Sequence, residues 1–404
     1  MAKRLGQTRV LIYSHDSFGL GHLRRCRAIA QELAKQNSEM SVLILSGSPI
    51  IGSFDFRNRV DFIRIPGVIK LHNGEYTSLN LNIDTEETIA MRASIIEHTA
   101  AIFDPDLFLV DKEPLGLRGE ARGTLEILKN RGTQLVLGLR DVMDEPALLA
   151  PEWERKNVLP ALEDLYDQIW VYGLPQVCDP LLGIDLPDAV LRKMVYTGYL
   201  RREATPAARP ALPLLDRPYF LVTPGGGGDG ERMVDWVIRA YESGAEIPYP
   251  ALIVLGPFMQ REQQDSFMAR AATLRNVEII TFDAHLENLM VDAVGVVAMG
   301  GYNTFCEILS FDKRALVLPR TRPRLEQYIR TARAQELGLA SMLDDDAFPD
   351  PRPMIDALCR LPAQDRPSDA FVPGLLDGLE NVNRLVGQIT RRPTRTRFLA
   401  RQTA

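Results

Sequence analysis

The sequence predicts an α/β protein made of two halves, each a parallel sheet with helices on both faces. Three observations lead there. Short β-branched runs alternate with longer helical patterns along the chain. The runs are near-continuous in Val, Ile and Leu, as in strands covered on both sides. A proline-rich stretch then separates two such series of similar length. In the first series strands are expected at 9–14, 41–46, 60–65, 106–111, 134–139, 168–172 and 194–198. From Arg201 to Arg217 the prolines rule out a helix interior or a central strand, so a linker is expected at 201–217. The second series has strands expected at 219–223, 251–255, 277–281, 295–299 and 315–318. The expected domains are therefore 1–200 and 218–385, with a basic tail at 386–404. The chain's 404 residues fit this count at roughly 150 per domain.

Composition narrows the function. With 46% hydrophobic and 25% charged residues the chain is neither disordered nor fibrous. Lys+Arg 47 against Asp+Glu 53, a net charge of -6, argues against a surface adapted to nucleic acid. Cys26, Cys178, Cys306 and Cys359 lie far apart, without metal-ligand spacing, and read as reduced thiols. No apolar run approaches the roughly 18 residues of a membrane span and no export signal is visible, so the cytoplasm is the expected location.

Three glycine-rich turns each follow an expected strand and precede a helix. In such a turn backbone N–H groups and the positive end of the helix dipole can hold an anion. The first runs from Ser14 through Gly19 and Gly21 to His22 and Arg24. Arg24 stands where a dinucleotide fingerprint has its third glycine, and the second strand ends without an acid, so nicotinamide binding is rejected. His22, at the carboxyl edge of the sheet, is a candidate general base; capping of the helix is its bland alternative. The second turn, Gly225-Gly226-Gly227-Gly228-Asp229-Gly230, implies close approach of backbone to a ligand and lacks the Gly-Lys-Ser/Thr ending of a P-loop. The third, Gly300-Gly301, leads into Asn303, Thr304 and Glu307, where Thr304 and Glu307 also read as a helix-capping pair. Glu326, Gln327 and Arg330 follow as a polar rim that could equally be an exposed charged helix. Asp111 and Glu113, just past a strand end, are rival bases to His22, and Arg140 and Asp141, past the next strand, either line the acceptor side or pair with each other.

The combination Gly-Gly-x-x-Thr-x-x-Glu, Leu316-Val317-Leu318-Pro319, Glu326-Gln327-x-x-Arg330 and Leu337-Gly338 resembles the donor half of GT-B glycosyltransferases. The group that makes the peptidoglycan lipid precursor with N-acetylglucosamine, with its diacylglycerol glucosyltransferase relatives, is the nearest likeness. The Gly-x-Gly-His turn, Asp104-Pro105-Asp106-Leu107 and Val195-Tyr196-Thr197-Gly198 resemble the same group; Gly-His-x-x-Arg also resembles a nucleotide-sugar hydrolase of this fold. The likeness implies two Rossmann-like domains facing across a cleft and a nucleotide-diphosphate sugar, a UDP-sugar, held by the second. It implies that Glu307 takes the ribose hydroxyls. Gly226, Gly227, Gly300, Gly301, Asn303 and Thr304 would lie along the diphosphate, and Glu326 and Gln327 would face the sugar. Gly19, Gly21, Arg24, Glu113 and Arg140 would border the acceptor. The family's Gly-Gly-Ser-x-Gly loop is all glycine here up to Asp229, and its Asn after the Gln is replaced near Arg330.

The resulting expectation is an inverting, metal-independent glycosyltransferase acting on a hydroxyl acceptor in polysaccharide or glycolipid assembly, with no cofactor. The alternatives are a nucleotide-sugar hydrolase or epimerase and a non-catalytic nucleotide-sugar sensor or scaffold. The basic tail, Arg391 to Arg401, suits either contact with an anionic membrane bearing a lipid-linked acceptor or a solvated end.

Overall fold

A computed structural model describes residues 7–15, 21–70, 76–204, 216–226, 228–283, 285–344 and 348–390, with the side chain of Lys70 excepted. The first sheet is formed from Thr8–Ser14 (β1), Met40–Ser46 (β2), Val60–Arg64 (β3), Leu107–Asp111 (β6), Gln134–Arg140 (β7), Gln168–Tyr172 (β8) and Met194–Tyr196 (β9). A two-stranded antiparallel hairpin of Val68–Lys70 (β4) and Tyr76–Ser78 (β5) stands beside it. The second sheet holds Phe220–Thr223 (β10), Ala251–Val254 (β11), Val277–Ile280 (β12), Gly295–Ala298 (β13), Ala315–Val317 (β14) and Ser341–Met342 (β15).

Both sheets are parallel and both reverse direction of growth once. The first runs β3-β2-β1-β6-β7-β8-β9 and the second β12-β11-β10-β13-β14-β15. Side chains of one strand feed two cores: Val10 and Ile12 point to one face, Leu11 and Tyr13 to the other, and Phe220 and Val222 are similarly opposed to Leu221. Burial on both sides is what demands the uninterrupted apolar runs of the sequence.

The two sheets share a seam. The core beneath one face of the first sheet continues into Tyr302, Phe305, Cys306 and Leu309 of the second half. The helix Gly378–Thr390 follows the second sheet in the chain but inserts Val382, Leu385, Val386 and Ile389 into that same core, against the helix Gly21–Gln36. Asn381 donates to the Thr197 carbonyl at 2.9 Å and Leu200 bridges to Asp377. The span 218–385 therefore does not form one body: its final turns return to the first sheet because the apolar stripe of Gly21–Gln36 needs cover.

At the centre of the seam Arg330, fully buried, donates from Nε to Asp141 Oδ2 at 2.7 Å, from Nη2 to Oδ1 at 2.5 Å and from Nη1 to the Gly300 carbonyl at 2.6 Å. Tyr199 donates to the same Asp141 carboxylate at 2.7 Å. Asp141 thus pairs with Arg330, not with Arg140, and Arg330 is no part of an exposed charged helix. Removing one member of a buried pair strands the other charge. Asp141→Ala should lower the free energy of unfolding by about 3–5 kcal/mol in a denaturant titration; a loss below about 1 kcal/mol, the range of exposed pairs, would show that the pair does not hold the halves together.

Candidate functional site

Ligands of open α/β sheets bind outside the carboxyl ends of the strands where strand order reverses. In the first sheet that point lies between β1 and β6, in the second between β10 and β13. The turns after β1, β10 and β13 are the three glycine turns of the sequence, and the two reversal points meet across the seam.

On the first side, His22 lies in the first turn of the helix Gly21–Gln36, and its Nδ1 bonds Asp111 Oδ2 at the end of β6. Asp111 is buried, and Arg25, one turn after His22, donates to it from Nε at 2.8 Å and from Nη2 at 2.7 Å. Burial alone would raise the Asp111 pKa, but Arg25 and His22 override it and hold the carboxyl far below its usual range. With its oxygens so engaged, Asp111 is not a rival base; it fixes the Nδ1–H tautomer and leaves Nε2 as the acceptor. Burial lowers the His22 pKa against the opposing pull of Asp111, so the imidazole is neutral at pH 7. The buried His15 ring packs edge-on at 5.5 Å from that of His22. Glu113 bonds Lys156 at 2.9 Å; against burial, Lys112, His15 and Lys156 keep it ionised and weakly basic.

On the second side, Gly225 has φ +79° and its missing Cβ would stand 3.5 Å from Thr304 Oγ1, so the second and third turns pack on each other. A Cβ on Gly300 would come within 2.5 Å of Thr331 Oγ1 and 3.0 Å of the Gln327 carbonyl; only glycine lets this turn lie on the helix Glu326–Glu336. The helices Glu231–Glu242 and Tyr302–Ser310 start from Gly230 and Gly301 without a side-chain cap, so Thr304 and Glu307 do not form a capping pair. Thr304 is buried, as is Glu307, whose Oε1 meets Arg24 and whose Oε2 has no hydrogen-bond partner. Burial raises the Glu307 pKa although Arg24 opposes it. Asn303 spans the seam, donating to the Gly21 carbonyl at 3.0 Å and accepting from Arg202 at 2.8 Å. Glu326 receives Arg320 on Oε1 at 2.5 Å while its buried Oε2 is unpartnered; Gln327 Oε1 accepts from the Arg320 N–H at 3.2 Å.

The structure therefore gathers His22, Asp111, Arg24, Asn303, Thr304, Glu307, Gly226, Gly300 and Gly301 along one seam. Arg24, expected on the acceptor side, reaches over to Glu307 in the other half. Gly19, Gly227 and the tail beyond Thr390 lie outside the described residues. Arg25 closes the Gly-His-x-x-Arg motif of the sequence but had no role assigned to it there, although its spacing of three from His22 puts both on one helix face. A slot between Thr223, Gly225, Val254, Phe282 and Leu286, with Phe54 of the first half above it, also escaped, since its walls come from four separate segments. No helix among the described residues is long and apolar enough to cross a membrane, and none of their His, Cys, Asp and Glu side chains form a group of three placed for a metal ion.

No family model matches the chain, and no curated protein matches it. Solved structures do. The glycosyltransferase VinC in complex with dTDP is 16% identical, with 95% of this chain and 99% of that chain covered at a TM-score of 0.58. A putative UDP-N-acetylglucosamine 2-epimerase from Listeria monocytogenes is 13% identical over 95% and 96%, TM-score 0.64. MurG of Acinetobacter baumannii is 12% identical over 96% of each, TM-score 0.52. At such identities the likeness is one of fold, and it spans 95–96% of the chain: two Rossmann-like domains face each other across a cleft in the GT-B arrangement, the fold these glycosyltransferases and the epimerase share.

Proposed function

We propose that the protein is an inverting glycosyltransferase that moves a sugar from a nucleotide-diphosphate sugar, a UDP-sugar, to a hydroxyl acceptor. The observation that carries this reading is the His22–Asp111–Arg25 array facing the Gly300–Glu307 turn across the seam. His22 Nε2 takes the acceptor hydroxyl's proton. The freed oxygen attacks the anomeric carbon from the face opposite the diphosphate, and the bond from that carbon to the phosphate oxygen breaks with its electron pair leaving on the nucleotide. The departing charge is met by the uncapped N-termini of Glu231–Glu242 and Tyr302–Ser310, without a metal being required. Glu307 Oε2 and Glu326 Oε2 are buried acceptors without donors, which ribose and sugar hydroxyls would satisfy. The slot at Phe282 suits the flat nucleobase. The nucleoside diphosphate named for VinC and the likeness over 95% of the chain support this assignment. Polysaccharide or glycolipid assembly is the setting we infer.

The epimerase of the same fold supports a second reading, in which the same cleft hydrolyses or epimerises the nucleotide sugar. Incubation with a panel of nucleotide sugars separates the two: nucleotide released only when an acceptor is supplied fits transfer, and release at the same rate without one fits hydrolysis.

His22→Ala should lower kcat about 10²–10⁴-fold with nucleotide affinity unchanged. Because the His22 pKa is lowered and the neutral ring is the active form, the acid-side fall of kcat/KM should come below pH 6.5, the ordinary histidine value; an acid-side midpoint above 6.5 would contradict the assignment. In calorimetry, Glu307→Ala should weaken UDP binding about tenfold or more, the loss of one or two hydrogen bonds to a charged group; unchanged affinity would remove Glu307 from the ribose.

A further inference from the structure

Nearly every cation around the cleft has a carboxylate of its own. Arg24 has Glu307, Arg25 has Asp111, Arg330 has Asp141 and Arg320 has Asp229 and Glu326. Arg324 bonds Glu152 at 3.0 Å and Lys156 bonds Glu113 and Glu152. Arg202 bonds Asn303 and no carboxylate, and on the first domain's side two side chains on neighbouring strand ends also break the pattern. Arg140, the last residue of β7, makes no ion pair or side-chain hydrogen bond with the described residues, and its Nε is shut off from water without an acceptor. Lys112, just past β6, comes no nearer a carboxylate than 3.8 Å, to Glu113, whose other oxygen is taken by Lys156. Its backbone has φ +68°, an uncommon conformation for a residue with a side chain, held by the Lys112 N–H bond to the Gly138 carbonyl at 2.8 Å. β6 and β7 are paired, so the two cations rise side by side next to the His22–Asp111 pair. Burial pushes Lys112 down to about 8 against the pull of Glu113, with Arg140, Arg324 and Lys156 adding to the fall, and burial pushes Arg140 down to about 10 against the pull of Glu326 and Asp141.

A half-buried cation with no partner, as Arg140, or only a distant and shared one, as Lys112, destabilises the free protein, and a site built to receive a charged ligand is where such a residue persists. We propose that Arg140 and Lys112 form an oxyanion site on the first domain's side of the cleft, so that the acceptor carries a negative group, a carboxylate or a phosphate, beside the hydroxyl that reacts. The inference rests on the transfer reading above and adds the charge of the acceptor to it. Arg140 supplies the planar fork that binds either oxyanion, and Lys112 a point charge next to it. Arg140 and Lys112 are then specificity residues: they hold the acceptor's anion while His22 takes its proton.

The test uses the full chain, first titrated with UDP and then, with UDP saturating, with methyl glucuronide or inorganic phosphate, followed by calorimetry and thermal shift. Saturable binding of at least one probe is expected, weakened about tenfold or more by Arg140→Gln and by Lys112→Gln, with UDP affinity within twofold of the unaltered protein. Glucuronide alone binding identifies an acidic sugar, and phosphate alone a phosphate-linked acceptor; both support the site. Without ligand, Arg140→Gln should melt no lower than the unaltered chain, since the cation it removes has no partner. The proposal is overturned if neither probe binds, if the variants bind them equally well, if UDP affinity falls as far as probe affinity, or if Arg140→Gln lowers the melting temperature. Failure of UDP itself to bind would instead overturn the donor assignment.

Discussion

Everything at the cleft depends on one buried contact, Arg330 on Asp141. It joins a residue from a helix of the second domain to the strand-end turn of the first, and its third donor group holds the Gly300 carbonyl. Because Gly300 opens the turn into Tyr302–Ser310, the same guanidinium fixes where that helix begins and hence where Asn303 and Glu307 stand. The Tyr302 ring carries the constraint further. Arg330 lies over it at 5.7 Å and Arg25 at 5.5 Å, so the domain clamp and the arginine that holds Asp111 bear on one aromatic ring. A buried pair of this kind is a weak source of stability against an apolar replacement; what it supplies here is a single register between the halves.

The charge of the molecule is arranged on a finer scale than its total. The net charge is -6, yet the cleft is crowded with arginines, most of them held in buried or half-buried positions by a carboxylate at a strand end or on a facing helix. Such pairing neutralises the crowd and leaves backbone amides at the glycine turns, with few side chains, to meet a diphosphate.

Most of this architecture was legible in the sequence because the strands are covered on both faces. Each run such as Val10 to Tyr13 or Phe220 to Thr223 must be apolar throughout, and its ends are marked by the turns that serve the site. β4, β5 and β15, of three residues or fewer, were missed, being too short to show a period. His22 and Asp111 were both found, but as competitors: 89 positions apart, they become a couple only when β1 and β6 pair. Arg330 was left between a polar rim and an exposed charged helix for the same reason. An arginine on a charged helix looks solvent-facing until a partner 189 positions away is brought to it. Pairings of that range are set by topology, and residue spacing carries no trace of them.

The Gly378–Thr390 helix gives the molecule an order of assembly. Its Val382, Leu385, Val386 and Ile389 complete a core whose other walls, Ile29, Ala30, Leu33 and Val42, lie far earlier in the chain and are made well before it. The earlier-made domain must wait, with an apolar flank uncovered, until the later one has been synthesised and its closing helix has crossed back. Folding of the two halves is thereby coupled: the apolar flank of the first is covered only once this helix has been made.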